Sequence, residues 1–180
     1  MIGEFRKFVG FKVLEYFITH PSEEIHLKEL SRKLGISPGS AKVYCDAFVR
    51  DDLLLAEKKG NLKLFKLNNH DFAVKELKKT YYIVLLKELG IENLANGISL
   101  AIYGSFASGN FDERSDLDVL VVGEEENVNR SFALALQEKL GREVQLTVIP
   151  YYRWEKLKRE GDGFAESVLR NHVLIKGAEL

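Results

Sequence analysis

Apolar side chains recur at helical spacing along the first third of the chain, then switch to alternation. Over residues 4–19, EFRKFVGFKVLEYFIT, the positions Phe5, Phe8, Val13, Leu14, Phe17 and Ile18 share one broad helical face. His20-Pro21 closes that stretch, because the residue before a proline is pushed out of the helical region. IHLKELSRKLG puts Leu27, Leu30 and Leu34 at i, i+3 and i+7, with Gly35 where a C-terminal cap belongs. SPGSAKVYCDAFVRDDLL opens with Ser37 as N-cap and Pro38 at the first helical position, and Ala41, Tyr44, Cys45 and Phe48 form its inner stripe. LLLAEKKGNLKLFKLN is two alternating runs about Lys59-Gly60-Asn61, the pattern of a hairpin. A further helix is predicted over 71–90, from an Asp71 or Asn69 cap to Gly90, with Phe72, Leu77, Tyr81, Val84, Leu85 and Leu89 on its apolar face.

Beyond residue 97 the pattern alternates strands with helices. ISLAIYGS reads as a buried strand ending in a turn at Gly104-Ser105, and LDVLVVG as a second strand. NVNRSFALALQEKLG is an amphipathic helix with Asn127 as its predicted cap; REVQLTVIP is a third strand. YYRWEKLKREG and GFAESVLRNH read as helices, with Tyr151, Tyr152 and Trp154 expected to cover the sheet, and VLIKG as a last short strand. The fold class predicted is therefore α+β, with a helical front and a small mixed sheet at the back.

Charge sharpens that division. The 180 residues carry a net charge of −1, but residues 1–69 sum to +3 and residues 98–180 to −4. Two modules with different partners are predicted, 1–69 and 98–180, joined by a connecting helix and loop over 70–97. Cys45 is the lone cysteine, so no internal disulfide and no cysteine-based zinc site can form. No apolar run approaches the roughly 20 residues of a membrane helix, and basic and acidic residues interrupt the N-terminal stretch. The expectation is a cytoplasmic protein with no membrane association.

Helix, helix, four-residue turn, helix, hairpin is the order of a winged helix-turn-helix, and HLKELSRKLGISPGSAKVY closely resembles the helix-turn-helix of prokaryotic winged-helix regulators. That resemblance implies DNA binding and regulation of transcription, with the second helix of the motif in the major groove. Carried onto this chain, the DNA-facing residues are Ser37, Ser40, Lys42 and Val43, with Lys58, Lys59 and Lys63 of the hairpin on the phosphate backbone. Few of these are basic and Asp46 lies among the outward positions, so one copy should bind weakly. Useful affinity would come from a homodimer on two half-sites.

The densest chemistry lies in YGSFASGNFDERSDLDVLVV, residues 103–122. Asp116 and Asp118 are two apart at the mouth of a strand, so their carboxylates project from one face. Buried carboxylates are costly unless something pairs with them, and a hard cation such as Mg²⁺ or Mn²⁺, completed by substrate phosphates, suits two oxygen ligands at this spacing. Gly104 permits close backbone approach, and Ser105 supplies a hydroxyl and an amide for a phosphate oxygen. Metal, phosphates and a same-face acid pair together make a phosphoryl- or nucleotidyl-transfer site.

Gly104-Ser105, ten residues, then Asp116-Leu117-Asp118 opening an apolar strand resembles the nucleotidyltransferase superfamily of DNA polymerase beta, in its minimal branch; Gly109 and Ser115 fit the longer pattern. The resemblance implies NTP binding with a divalent metal held by Asp116 and Asp118, nucleotide contacts from Gly104, Ser105 and Ser115, and transfer of a nucleotidyl group, AMP-like, to an acceptor hydroxyl. One departure bears on activity. Active members carry a third carboxylate on the next strand, and Gln145 occupies that place here. Glu143 lies on the same face about 7 Å along the strand and is the nearest substitute metal ligand. Three functions are therefore open: a transferase, a non-catalytic transcriptional regulator whose degenerate domain senses nucleotide or dimerises, and an antitoxin that modifies or binds a protein partner.

Overall fold

The N-terminal apolar face is divided between two helices. In the computed structural model, which describes residues 1–180, α1 (Ile2–Phe5) is followed by an extended Phe8 before α2 (Val9–Thr19) begins. At the break, the Arg6 guanidinium reaches forward to Glu15, with Nε donating to both carboxylate oxygens at 2.9 and 3.0 Å. Val13, Phe17 and Ile18 are buried, whereas Phe5 and Phe8 are exposed, so only the second half of the predicted face enters the core.

Two compact units divide the chain, Met1–Val84 and Leu85–Leu180. In the first, α2 is followed by β1 (Ile25–His26), α3 (Leu27–Leu34), α4 (Pro38–Arg50), β2 (Leu54–Lys59) and β3 (Leu62–Leu67). Gly35 caps α3 in the left-handed region at φ 63°, and the Ser37 hydroxyl accepts from the Ser40 amide at 3.0 Å to start α4. The hairpin turns on Gly60-Asn61, with Lys59 opposite Leu62. The strands run in the order β1-β3-β2; β1, at two residues, is too short to leave a pattern in the sequence. The core gathers Val13, Phe17, Ile25, Leu30, Ala41, Cys45, Leu54 and Phe65, each side chain of this size contributing about 1.5–3 kcal/mol when fully buried, less for Ala and Cys.

α5 (Phe72–Glu88) begins on Asp71, whose Oδ1 accepts from the Ala73 and Val74 amides at 2.8 and 3.1 Å. Its buried positions are Val74, Lys78, Tyr81, Tyr82 and Leu86, whereas Phe72 is 80% exposed. The helix is thus turned relative to the face read from the sequence. A lysine at a core position, its Nζ donating to Asn69 Oδ1 at 3.1 Å, hides the true stripe from an apolar pattern.

The second unit holds β4 (Ser99–Ile102), α6 (Gly104–Ser108), β5 (Leu117–Val122), α7 (Arg130–Leu140), β6 (Val144–Ile149), α8 (Tyr151–Glu160), α9 (Gly163–Arg170) and β7 (Val173–Gly177). The sheet order is β6-β5-β4-β7, with β5 and β6 parallel and the other pairs antiparallel. α7 starts two residues later than predicted, on Asn129, because Val128 is held extended in a bridge to Ala95. One sheet face packs Leu120, Val122 and Ile149 against Trp154 of α8 and Ala165 and Val168 of α9. Trp154 covers the sheet as expected; Tyr151 and Tyr152 point outward into solvent. No helix is long and apolar enough to cross a membrane.

Candidate functional site

Asp118 is the second residue of β5 and Asp116 lies just before its start, so both precede the apolar run that anchors the strand in the sheet. Alternation puts Asp118 on the same face as Leu120 and Val122, the face covered by α8 and α9. Asp118 is half-buried and Asp116 exposed. No side-chain hydrogen bond or ion pair engages either carboxylate. Burial first, and the charge of Asp116 second, push the Asp118 carboxyl above the ordinary aspartate range.

Gly104 closes one side. It sits at φ 67°, and a Cβ built there would overlap Asp118 Oδ2, so the glycine Cα packs directly on the carboxylate. Ser105 follows in the first turn of α6, half-buried, and its hydroxyl has no protein partner. Tyr103 forms the floor. Its amide donates to the Asp118 carbonyl at 3.1 Å, its ring meets Phe164 edge-on at 5.5 Å, and its hydroxyl lies 2.8 Å from Thr147 Oγ1 on β6, spanning β5.

The parallel register sets Gln145 directly beside Asp118, so the position read from the sequence as that of the third carboxylate is adjacent to the pair. Glu143 accepts the Leu117 amide at its carbonyl, 2.9 Å, and its side chain is exposed. No three His, Cys, Asp or Glu side chains converge anywhere in the structure, so Asp116, Asp118 and Glu143 do not form a closed set in this conformation. Ser115 spends its hydroxyl locally: Oγ accepts from the Asp112 amide at 2.9 Å and donates to Asp112 Oδ1 at 3.0 Å. Asp112 also accepts from the Arg114 amide, and these bonds hold its carboxyl below the usual range.

In the first unit, three of the four lysines expected at DNA, Lys42, Lys59 and Lys63, already have intramolecular carboxylate partners. Lys42 and Lys63 both reach Asp46, at 2.7 and 2.9 Å; Lys59 and Lys66 both reach Glu24, at 2.5 and 3.1 Å. The paired lysines hold both carboxyls below the ordinary range. Lys58 stands opposite Lys63 in the hairpin register, and Val43 is 65% exposed. Ser37 and Ser40 are bound to each other at the start of α4, Oγ to Oγ at 2.9 Å. Sequence reasoning missed Glu24 as a partner for the hairpin. It also missed the Tyr103–Thr147 span and Arg142, whose donors return to the 112–115 turn. Nothing in the sequence pattern marks a lone arginine after Gly141 as special.

The half-buried Asp118 carboxylate beside the like charge of Asp116 has a measurable consequence. The Asp118 carboxyl carbon is expected to titrate above the unperturbed aspartate value of about 3.9, and Asp116→Asn to bring that midpoint down. Because the folded-state value is raised, ionising Asp118 costs stability as pH rises through its midpoint, and the cost is relieved below it. A carbon-detected pH titration checks both; an Asp118 midpoint at or below the unperturbed value would contradict the burial described.

A family model described as "Nucleotidyltransferase domain" matches residues 83–175, just over half of the chain. The chain belongs to the nucleotidyltransferase domain family. Among solved structures it resembles one titled "Crystal structure of the toxin-antitoxin with AMP-PNP", at 17% identity and a TM-score of 0.38, over 54% of this chain and 74% of that one. No curated protein matches the chain.

Proposed function

We propose that the second unit binds a nucleoside triphosphate together with a divalent cation, Mg²⁺ or Mn²⁺, at Asp116 and Asp118. The observation that carries this reading is a pair of neighbouring carboxylates with no protein partner, one of them half-buried, with the Gly104 backbone packed on it. Two uncompensated acids in that setting fit a hard cation with oxygen ligands. Such a cation, when bound, would neutralise phosphate charge and make the phosphorus under attack more electrophilic. The residues of the chain then have distinct tasks. Asp116 and Asp118 hold the cation, the free Ser105 hydroxyl donates to a phosphate oxygen, and Gly104 leaves room for that approach. Ser115 acts through the turn it closes.

Gln145 decides between binding and transfer. Nucleotidyl transfer to a hydroxyl needs a group to take the attacking proton, or a further ligand to lower its pKa, and a neutral amide does neither. A regulator that senses nucleotide is the reading favoured by Gln145 beside Asp118; a transferase with an acceptor hydroxyl is the alternative that Glu143 would have to support by moving inward. Calorimetric titration of ATP and GTP, with Mg²⁺ and with chelator, tests the shared premise. Binding is expected with the cation and to be weaker by at least about tenfold without it. Equal binding in chelator, or none in either condition, would refute it.

The first unit we read as a winged helix, from its element order and its Gly60-Asn61 hairpin. DNA remains its proposed partner through Ser37, Ser40, Lys42, Val43, Lys58, Lys59 and Lys63, in a homodimer. The internal ion pairs set the expected strength. Asp46→Asn releases Lys42 and Lys63, and is expected to tighten binding to a labelled duplex by about two- to tenfold at low salt. Anisotropy measures it. Failure of both proteins to bind any duplex at low salt would turn the unit over to a protein partner, as in the antitoxin reading.

A further inference from the structure

We infer that Arg142 is a positioning residue for Asp116, acting through the backbone of the turn before β5. This rests on the nucleotide reading for its consequence, and on geometry alone for the clamp itself.

The turn from Asp112 to Ser115 is closed internally by the Asp112 carboxylate and the Ser115 hydroxyl. Those bonds shape the turn but tie it to nothing else. Arg142 does. Its Nη1 donates to the Asp112 carbonyl at 2.5 Å and to the Ser115 carbonyl at 3.1 Å. The second acceptor matters most, because the Ser115 carbonyl and the Asp116 amide belong to one planar peptide group. Fixing that carbonyl fixes the plane from which the Asp116 side chain departs.

The guanidinium is itself held on a surface that belongs to the site. Its centre lies 5.4 Å from the Phe106 ring centroid and 5.9 Å from that of Phe111. The two rings stack at 4.3 Å, only 5° from parallel, and both are buried. Phe106 sits on α6, one residue past Ser105, and Phe111 sits in the loop that leads to the turn. Arg142 also lies two residues before β6, on which Gln145 lies beside Asp118. One planar cation therefore joins the Gly104–Ser105 helix, the Asp116 turn and the start of β6. The Arg142 guanidinium donates to both carbonyls with its centre within about 6 Å of both ring centroids, whereas a lysine ammonium lacks the planar head group that makes this arrangement.

The test uses the full chain with Arg142→Gln and, as a milder variant, Arg142→Lys. In the ligand-free proteins, amide hydrogen exchange over residues 112–117 is expected to accelerate at least tenfold in Arg142→Gln and less in Arg142→Lys, with exchange in β4 and the melting temperature near wild type. Mg²⁺-ATP affinity is expected to fall about tenfold in Arg142→Gln, with partial rescue in Arg142→Lys. In an Asp116→Asn background, Arg142→Gln is expected to change affinity no further, since its effect runs through Asp116. Unchanged local exchange in both variants overturns the inference. So does faster exchange with unchanged affinity in a protein whose wild type binds Mg²⁺-ATP. Faster exchange in a protein whose wild type binds no nucleotide upholds the clamp and refutes the nucleotide reading alone.

Discussion

Asp118→Asn is expected to lower Mg²⁺-dependent nucleotide affinity at least 100-fold while raising the stability of the ligand-free protein. The two signs have one cause. In the free protein, Asp118 is half-buried beside Asp116, and both effects disfavour its charge. Asparagine keeps the shape and removes the charge, so the folded state gains. Solvent screens the pair, and the gain is expected to be small, about 1–3 °C in melting temperature. When a divalent cation arrives, the same charge becomes the attraction that holds it. Altering groups that merely support metal ligands already costs about 10- to 100-fold in affinity, so removing a ligand should exceed that range. Calorimetry and thermal melts on the same preparations measure both quantities. A variant that is less stable and binds as tightly as wild type would make Asp118 a structural residue and sink the site.

The second large effect is a gain. Gln145→Asp is expected to raise nucleotidyl transfer, read as pyrophosphate released from ATP with a hydroxyl acceptor supplied, by at least about 100-fold, the lower end of what a positioned acid or base contributes. The register carries the argument: Gln145 is the residue of β6 paired with Asp118, and parallel strands in register direct paired side chains to the same face. An aspartate there would add a third carboxylate to a site where no three converge now. The same change should lower ligand-free stability, as a third like charge joins Asp116 and the half-buried Asp118. An unchanged rate together with preserved Mg²⁺-ATP binding would show that the missing carboxylate is not what separates binding from transfer.

Local signals with a single physical meaning were legible in the sequence. Ser37-Pro38 starts α4, Gly35 ends α3, and Gly60-Asn61 turns the hairpin, because caps and tight turns depend on a few adjacent residues. Gly104, Asp116 and Asp118 could be placed together from spacing and strand alternation, and Gln145 from the resemblance to nucleotidyltransferases, whereas the parallel register that sets it beside Asp118 is visible only in the fold. What escaped depends on contacts distant in sequence. The core position of Lys78 is offset by Asn69, outside its helix, and the break after α1 coincides with a pairing from Arg6 to Glu15. Arg142 lies 27 residues from the carbonyl of Ser115 and 30 from that of Asp112. No periodicity encodes such partners.

Asp46 and Glu24, each shared by two lysines, also set how the lysine surface of the first unit answers to ionic strength. A free lysine that meets a nucleic-acid phosphate releases a condensed cation, and each such exchange steepens the loss of affinity with salt. A lysine held by Asp46 or Glu24 must first leave an intramolecular partner, and added salt weakens that partner as well. The two responses oppose each other. A polyanion on this face would therefore show a shallower dependence on salt than its lysine contacts imply, and Asp46 would act as a built-in counterion that the solvent need not supply.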